Sequence, residues 1–135
     1  MARPYLGGTS AGVIDVTADK TLAVADSGNV LYLNSADAVV ITLPTDANTF
    51  IGYSVKLIVQ RANANGYTIK TGDDADSGGD DFVGGLILAT TSAGDCNFIA
   101  PAADDCNIIL DSNLADTGGL KGSWVELTKL SADEW

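Results

Sequence analysis

The 135-residue sequence contains no histidine, and its single methionine is Met1. Without an imidazole there is no Ser-His-Asp triad, no Cys-His dyad and no His-ligated metal site. Positive charge is scarce: 7 Lys and Arg stand against 18 Asp and Glu, a formal charge of −11. Nucleic acid and anionic membranes are bound through clustered Lys and Arg, so neither is expected as a partner. No apolar run reaches the roughly 18 residues of a membrane-spanning helix. The opening Met1–Gly8 lacks the hydrophobic segment of a secretory signal, and a soluble protein not exported by that route is expected. Glutamate is nearly missing too: sixteen of the acids are Asp, and only Glu126 and Glu134 are Glu. Asp competes with the helical backbone for hydrogen bonds and favours turns, whereas Glu is a good helix former. Together these shortages point away from most enzymes and away from helices.

What is present suits a β protein. Fifteen Gly, twelve Thr and eight Asn accompany a hydrophobic fraction of 46%. A domain of this size buries roughly two-thirds of its unfolded surface, so a core forms without staples or metals. Apolar runs recur between turn signals at 13–17, 20–25, 29–34, 38–43, 53–60, 66–71, 85–91, 96–100, 105–111 and 122–128. That spacing predicts an all-β fold, an antiparallel β-sandwich or a jelly-roll-like β-barrel. Val39, Ile41 and Leu43 share one strand face, as do Tyr53, Val55, Leu57 and Val59. Asp26-Ser27-Gly28-Asn29 has the chemistry of a hairpin connector, and Pro44 ends its strand by removing a donor. Asn65-Gly66 invites a two-residue turn. A loop over 61–65, however, pairs Leu57 with Ile69 and Val59 with Tyr67 on one apolar face, so burial favours the longer loop. Residues 1–12, with Pro4, Gly7, Gly8 and Gly12, read as an extended N-terminal arm before a single domain over 13–135.

Three groups of residues invite a chemical reading. Cys96 and Cys106 would lie about 10 Å apart if 96–100 and 105–111 form a hairpin, beyond the roughly 7 Å that a disulfide allows. Two reduced thiols are expected, packed as small hydrophobes and without a base to activate them. Asp73, Asp74, Asp76, Asp80 and Asp81 crowd one stretch. They are candidate ligands for Ca²⁺, which takes oxygen donors from a flexible loop, although the spacing departs from an EF-hand. The alternative is a solvated, self-repelling loop that keeps the protein soluble and blocks edge pairing. A glycosidase needs two carboxyls flanking a cleft, for which a small, turn-rich β domain leaves little room. Among the aromatics, Tyr32, Tyr53, Trp124 and Trp135 are candidates for the core or a subunit interface.

The run Thr21-Leu22-Ala23-Val24-Ala25-Asp26-Ser27-Gly28, then Val30-Leu31-Tyr32-Leu33-Asn34 and Val39-Val40-Ile41-Thr42-Leu43-Pro44, resembles virion structural proteins of tailed bacteriophages. Gly66-Tyr67-Thr68-Ile69 and the late Gly122-Ser123-Trp124 fit the same style. Arg3-Pro4-Tyr5-Leu6-Gly7-Gly8 is similar to the start of small virion proteins of marine and cyanobacterial phages. The resemblance implies a capsid decoration (cement) protein, a homotrimer on the outer capsid surface that binds the major capsid protein and stabilises the head. No enzyme activity is expected from the composition, and no cofactor beyond a calcium ion at the acidic stretch 73–81. The arm residues Arg3, Pro4, Tyr5 and Leu6 would then contact the lattice. The alternative is a glycan-binding module of a tail fibre or spike.

Overall fold

The computed structural model describes residues 12–73, 79–89, 96–101, 105–113 and 117–135. The arm residues Arg3 to Leu6 lie outside them, as do Asp74 and Asp76. Among the described residues ten strands are formed: β1 (Val13–Val16), β2 (Lys20–Thr21), β3 (Val30–Leu33), β4 (Val39–Thr42), β5 (Ser54–Val59), β6 (Tyr67–Lys70), β7 (Leu86–Ala89), β8 (Cys96–Ile99), β9 (Asn107–Leu110) and β10 (Trp124–Thr128). The only helical pieces among the described residues are short 3-10 turns at Val24–Asp26 and Asp46–Asn48.

Successive strands alternate between two sheets. The first has the order β1-β3-β5-β10 and the second β2-β4-β6-β9, while β7 and β8 pair antiparallel on their own. Within the first sheet β1, β3 and β5 run parallel, and in the second β2, β4 and β6 do the same. The chain therefore winds as a short coil, each turn laying one strand in each sheet on top of the previous turn. Such stacking buries a continuous core that no single turn could close alone. The last turn is finished by antiparallel strands, β10 against β5 and β9 against β6.

This arrangement corrects the expected antiparallel sandwich or barrel. Both sheets are mixed and mostly parallel, and they do not close into a barrel. Three expected hairpins dissolve with it. β5 and β6 are not paired: Leu57 lies beside Leu31 and Val125, whereas Ile69 lies beside Ile41 and Ile108. The segment 26–29 links strands of different sheets, and β8 pairs with β7 while β9 pairs with β6. The physical reason is common to all three. Alternation along a strand specifies which side chains point inward, and a strand across the core satisfies that pattern as well as one alongside.

The inward positions form one core. Val16, Leu31, Leu33, Val55, Leu57, Val59, Val125 and Leu127 from the first sheet meet Val39, Ile41, Tyr67, Ile69 and Leu110 from the second. Burying each such side chain contributes roughly 1.5–3 kcal/mol. The ladders extend past the strands, with Asn34 N–H donating to Val16 O and Leu43 N–H to Lys70 O. One corner turns on Asn63, which is buried. Its amide donates to Asp37 O at 2.7 Å, its side-chain oxygen accepts from Asn65 N–H at 2.8 Å, and its carbonyl accepts from Gly66 and Ser112 N–H.

Candidate functional site

The inward alternation of β10 continues one step past the strand. Val125 and Leu127 point into the core, and so does Lys129, which is 2% exposed. Lys129 N–H donates to Tyr53 O and its carbonyl accepts from Gly52 N–H, so β5's ladder holds the backbone in phase. A buried ammonium must be paired, because an uncompensated charge in the interior costs several kcal/mol. The partners come from two loops. Asp80, itself buried, places Oδ1 at 2.6 Å from Lys129 Nζ, and Asp46, at the first position of the second 3-10 turn, places Oδ1 at 2.8 Å.

Trp135 completes the group. Its indole Nε1–H donates to Asp80 Oδ2 at 2.8 Å, and its ring lies 5.2 Å from Lys129 Nζ and edge-on to Tyr53 at 5.5 Å. Three main-chain hydrogen bonds fix that placement: Asp81 N–H to Asp133 O, Val83 N–H to Trp135 O, and Trp135 N–H to Asp81 O. Burial pushes the Asp80 carboxyl above the ordinary Asp value. Hydrogen bonds from Lys129 and Trp135 and the lysine charge pull it back, and the Asp46 charge pushes it up. Burial also raises the Tyr53 hydroxyl, with the Asp26 charge adding to it.

Oxygens of Asp46, Asp80 and Asp133 lie within 4.8 Å of one another, a spacing that suits a cation. The ammonium of Lys129 already supplies positive charge to two of the three. The arrangement is thus an internal knot in which one ammonium bridges two carboxylates, tying the end of β10, the loop before β5 and the segment 80–83 together.

The residues singled out from the sequence are dispersed by the fold. Of the acidic stretch, Asp80 enters the knot, whereas Asp73 Oδ2 accepts from Asp46 N–H at 2.7 Å and Asp81 bridges to Glu134 through its backbone. Tyr53 and Trp135 are buried in the chain's own core. Tyr32 is half-buried on the outer side of β3, and Trp124 is 58% exposed on the outer side of β10, with Lys56 Nζ 4.1 Å from its ring centroid. Cys106 is a free, half-buried thiol just before β9. Sequence reasoning missed Lys129, although a lysine in phase with Val125 and Leu127 signals a buried counter-charge. For Asp46 the sequence carries no comparable sign. No protein-family model matches this chain, and no curated protein matches it.

Proposed function

We propose that this chain is a non-catalytic structural protein of a tailed-phage virion, a decoration protein that binds the outside of the capsid and reinforces it. The reading starts from the resemblance carried by residues 21–44 and is supported by the character of the surface. Val13, Ile51, Trp124 and Leu130 stand more than half exposed on a chain of formal charge −11. Large exposed apolar side chains mark interaction sites, and the acidic field keeps such a surface away from packaged DNA. The buried charges, in contrast, are consumed in holding the fold together. Assembly as a homotrimer would multiply weak lattice contacts, because the second and third become intramolecular.

The test is to add the purified protein to heads that lack it and to image the particles. Ordered density at fixed lattice positions, with a gain in resistance of the head to heat or chelator, is the expected result. Deleting residues 1–8 should abolish that density while the isolated domain stays folded. Unchanged occupancy would remove the arm from the reading, and no density with the intact chain would end it. Trp124, more than half exposed, also suits a carbohydrate. Glycan binding without head binding would select the fibre or spike module instead.

A further inference from the structure

The register of the first sheet places two rows of side chains on its outer face. One row is Val13, Val30, Lys56 and Glu126; the other is Asp15, Tyr32, Ile58 and Trp124. The middle strands carry Val30, Tyr32 and Ile58 with the single cation Lys56, and the carboxylates stand on the edge strands β1 and β10. Val13 and Trp124 are each 58% exposed, and Val30, Tyr32 and Ile58 are partly exposed. The one cation of these rows, Lys56, stands opposite Glu126 in register, with the Trp124 ring beneath its ammonium. Asp15 takes only a long hydrogen bond from the Asn34 amide, at 3.3 Å.

We infer that this face is the protein-binding surface, and that its occupant is a folded protein presenting an apolar strip bordered by basic residues. The partner's identity as the capsid lattice rests on the decoration reading; the location and chemistry of the face do not. Charge complementarity selects the occupant. Two border carboxylates on a chain of formal charge −11 repel nucleic acid and anionic lipid and attract a basic rim. A second copy packed face to face is a poor occupant, and the heterologous contacts of a homotrimer would not pair this face with itself. Two-fold face-to-face packing about an axis along the strands sets Asp15 against Trp124 of the other copy and Glu126 against its Val13. An axis across the strands sets Asp15 against Val13 and Glu126 against Trp124. Either way Asp15 is buried against an apolar group with no positive partner, and no cation of the other copy meets Glu126, which is costly.

Size refines the inference. Four strands about 4.8 Å apart and five residues at about 3.3 Å each make a face of roughly 300 Å². A standard interface takes about 800 Å² from each partner. The face therefore supplies an aromatic centre of the kind that dominates binding energy, with the rest of the footprint lying elsewhere on the chain.

The experiment compares the full-length protein with Trp124→Ser, Tyr32→Ser and the pair Asp15→Lys with Glu126→Lys, on heads lacking it and across a salt series. Ile109→Ser, on the outer face of the other sheet, is the control. Circular dichroism and sedimentation confirm the fold and the oligomeric state of each. Binding at least tenfold weaker for both aromatic variants and for the charge pair, with Ile109→Ser unchanged and wild-type binding weakened by salt, is the expected pattern. Wild-type occupancy by the aromatic variants, or equal loss in Ile109→Ser, overturns the assignment of this face and leaves the decoration reading standing. Absence of wild-type binding overturns that reading and this occupant with it. Self-association that Trp124→Ser abolishes overturns the choice of a foreign partner.

Discussion

Lys129 and Asp80 meet at 2.6 Å inside the protein, with side chains 2% and 1% exposed. Neither charge is tolerable there alone. Removing the ammonium with Lys129→Met leaves a buried carboxylate held only by the Trp135 indole, and a loss of about 3–5 kcal/mol at neutral pH is expected. Asp46, whose side chain is 40% exposed, recovers hydration and adds little to that loss. The pH dependence carries the sign. Asp80 titrates above its ordinary value in the folded state, so its stabilising contribution is full below the ordinary Asp pKa and is lost as pH rises through the folded value. Lys129→Met removes the lysine's opposing pull and exaggerates this, so its deficit should shrink as the solution is acidified. Denaturant midpoints at neutral and mildly acidic pH measure it; a deficit that grows on acidification contradicts this account.

Tyr67 ties two coil corners through its hydroxyl. Ser35 N–H donates to the oxygen at 2.9 Å, and the hydroxyl's single proton is shared between the carbonyls of Ser35 and Arg61, each at 2.9 Å. Tyr67→Phe keeps the ring in the core and leaves the buried Ser35 N–H without its acceptor. A cost of about 1–3 kcal/mol is expected. Amide exchange should locate it, because Ser35 ought to lose protection while Leu57, on the opposite sheet, changes only with global stability.

Much of the interior was legible in the sequence. The period-two pattern of Val39-Ile41-Leu43 and of Tyr53-Val55-Leu57-Val59 names buried residues correctly. What it could not convey is adjacency. Val13, Val30 and Lys56 stack in register, as do Lys20, Ile41 and Ile69, but at unequal sequence intervals, so no repeat announces the coil. Parallel neighbours also share no turn, which removes the local signal that a hairpin offers. The knot around Lys129 was half legible: its inward phase is visible, whereas Asp46 and Asp80 are brought to it by loops from distant parts of the chain.

Gly72 shows how closely two turns of the coil approach. A Cβ added there would lie 2.4 Å from Leu43 O and 2.6 Å from the backbone of Pro44 and Thr45. Backbone cannot step aside as a side chain can, so Gly72→Ala should destabilise by about 1–3 kcal/mol or more. Gly28 is the contrast. Nothing lies within 4 Å of its added Cβ, and only its φ of +81° opposes alanine, at about 1–2 kcal/mol. Urea midpoints should rank Gly72→Ala below Gly28→Ala; the reverse order would mean that the turns are not packed this tightly.

Tyr53 makes the fold sensitive to alkali. Its ring is fully buried between Phe50 and Trp135, and its hydroxyl donates to Ala23 O at 3.3 Å. Burial, with the Asp26 charge, raises the hydroxyl well above the ordinary tyrosine value. A group raised in the folded state stabilises fully below its unfolded pKa, near 10, and that stability is lost as pH climbs past it. Tyrosinate absorbance from this residue should therefore appear only together with loss of near-ultraviolet dichroism. Tyr53→Phe should cost about 0.5–1.5 kcal/mol at neutral pH for the lost hydrogen bond. Above about pH 10 the ionisable hydroxyl becomes the liability, so the gap between variant and wild type should close and then invert. Tyr53 ionising in a chain that is still folded would contradict the burial from which this argument starts.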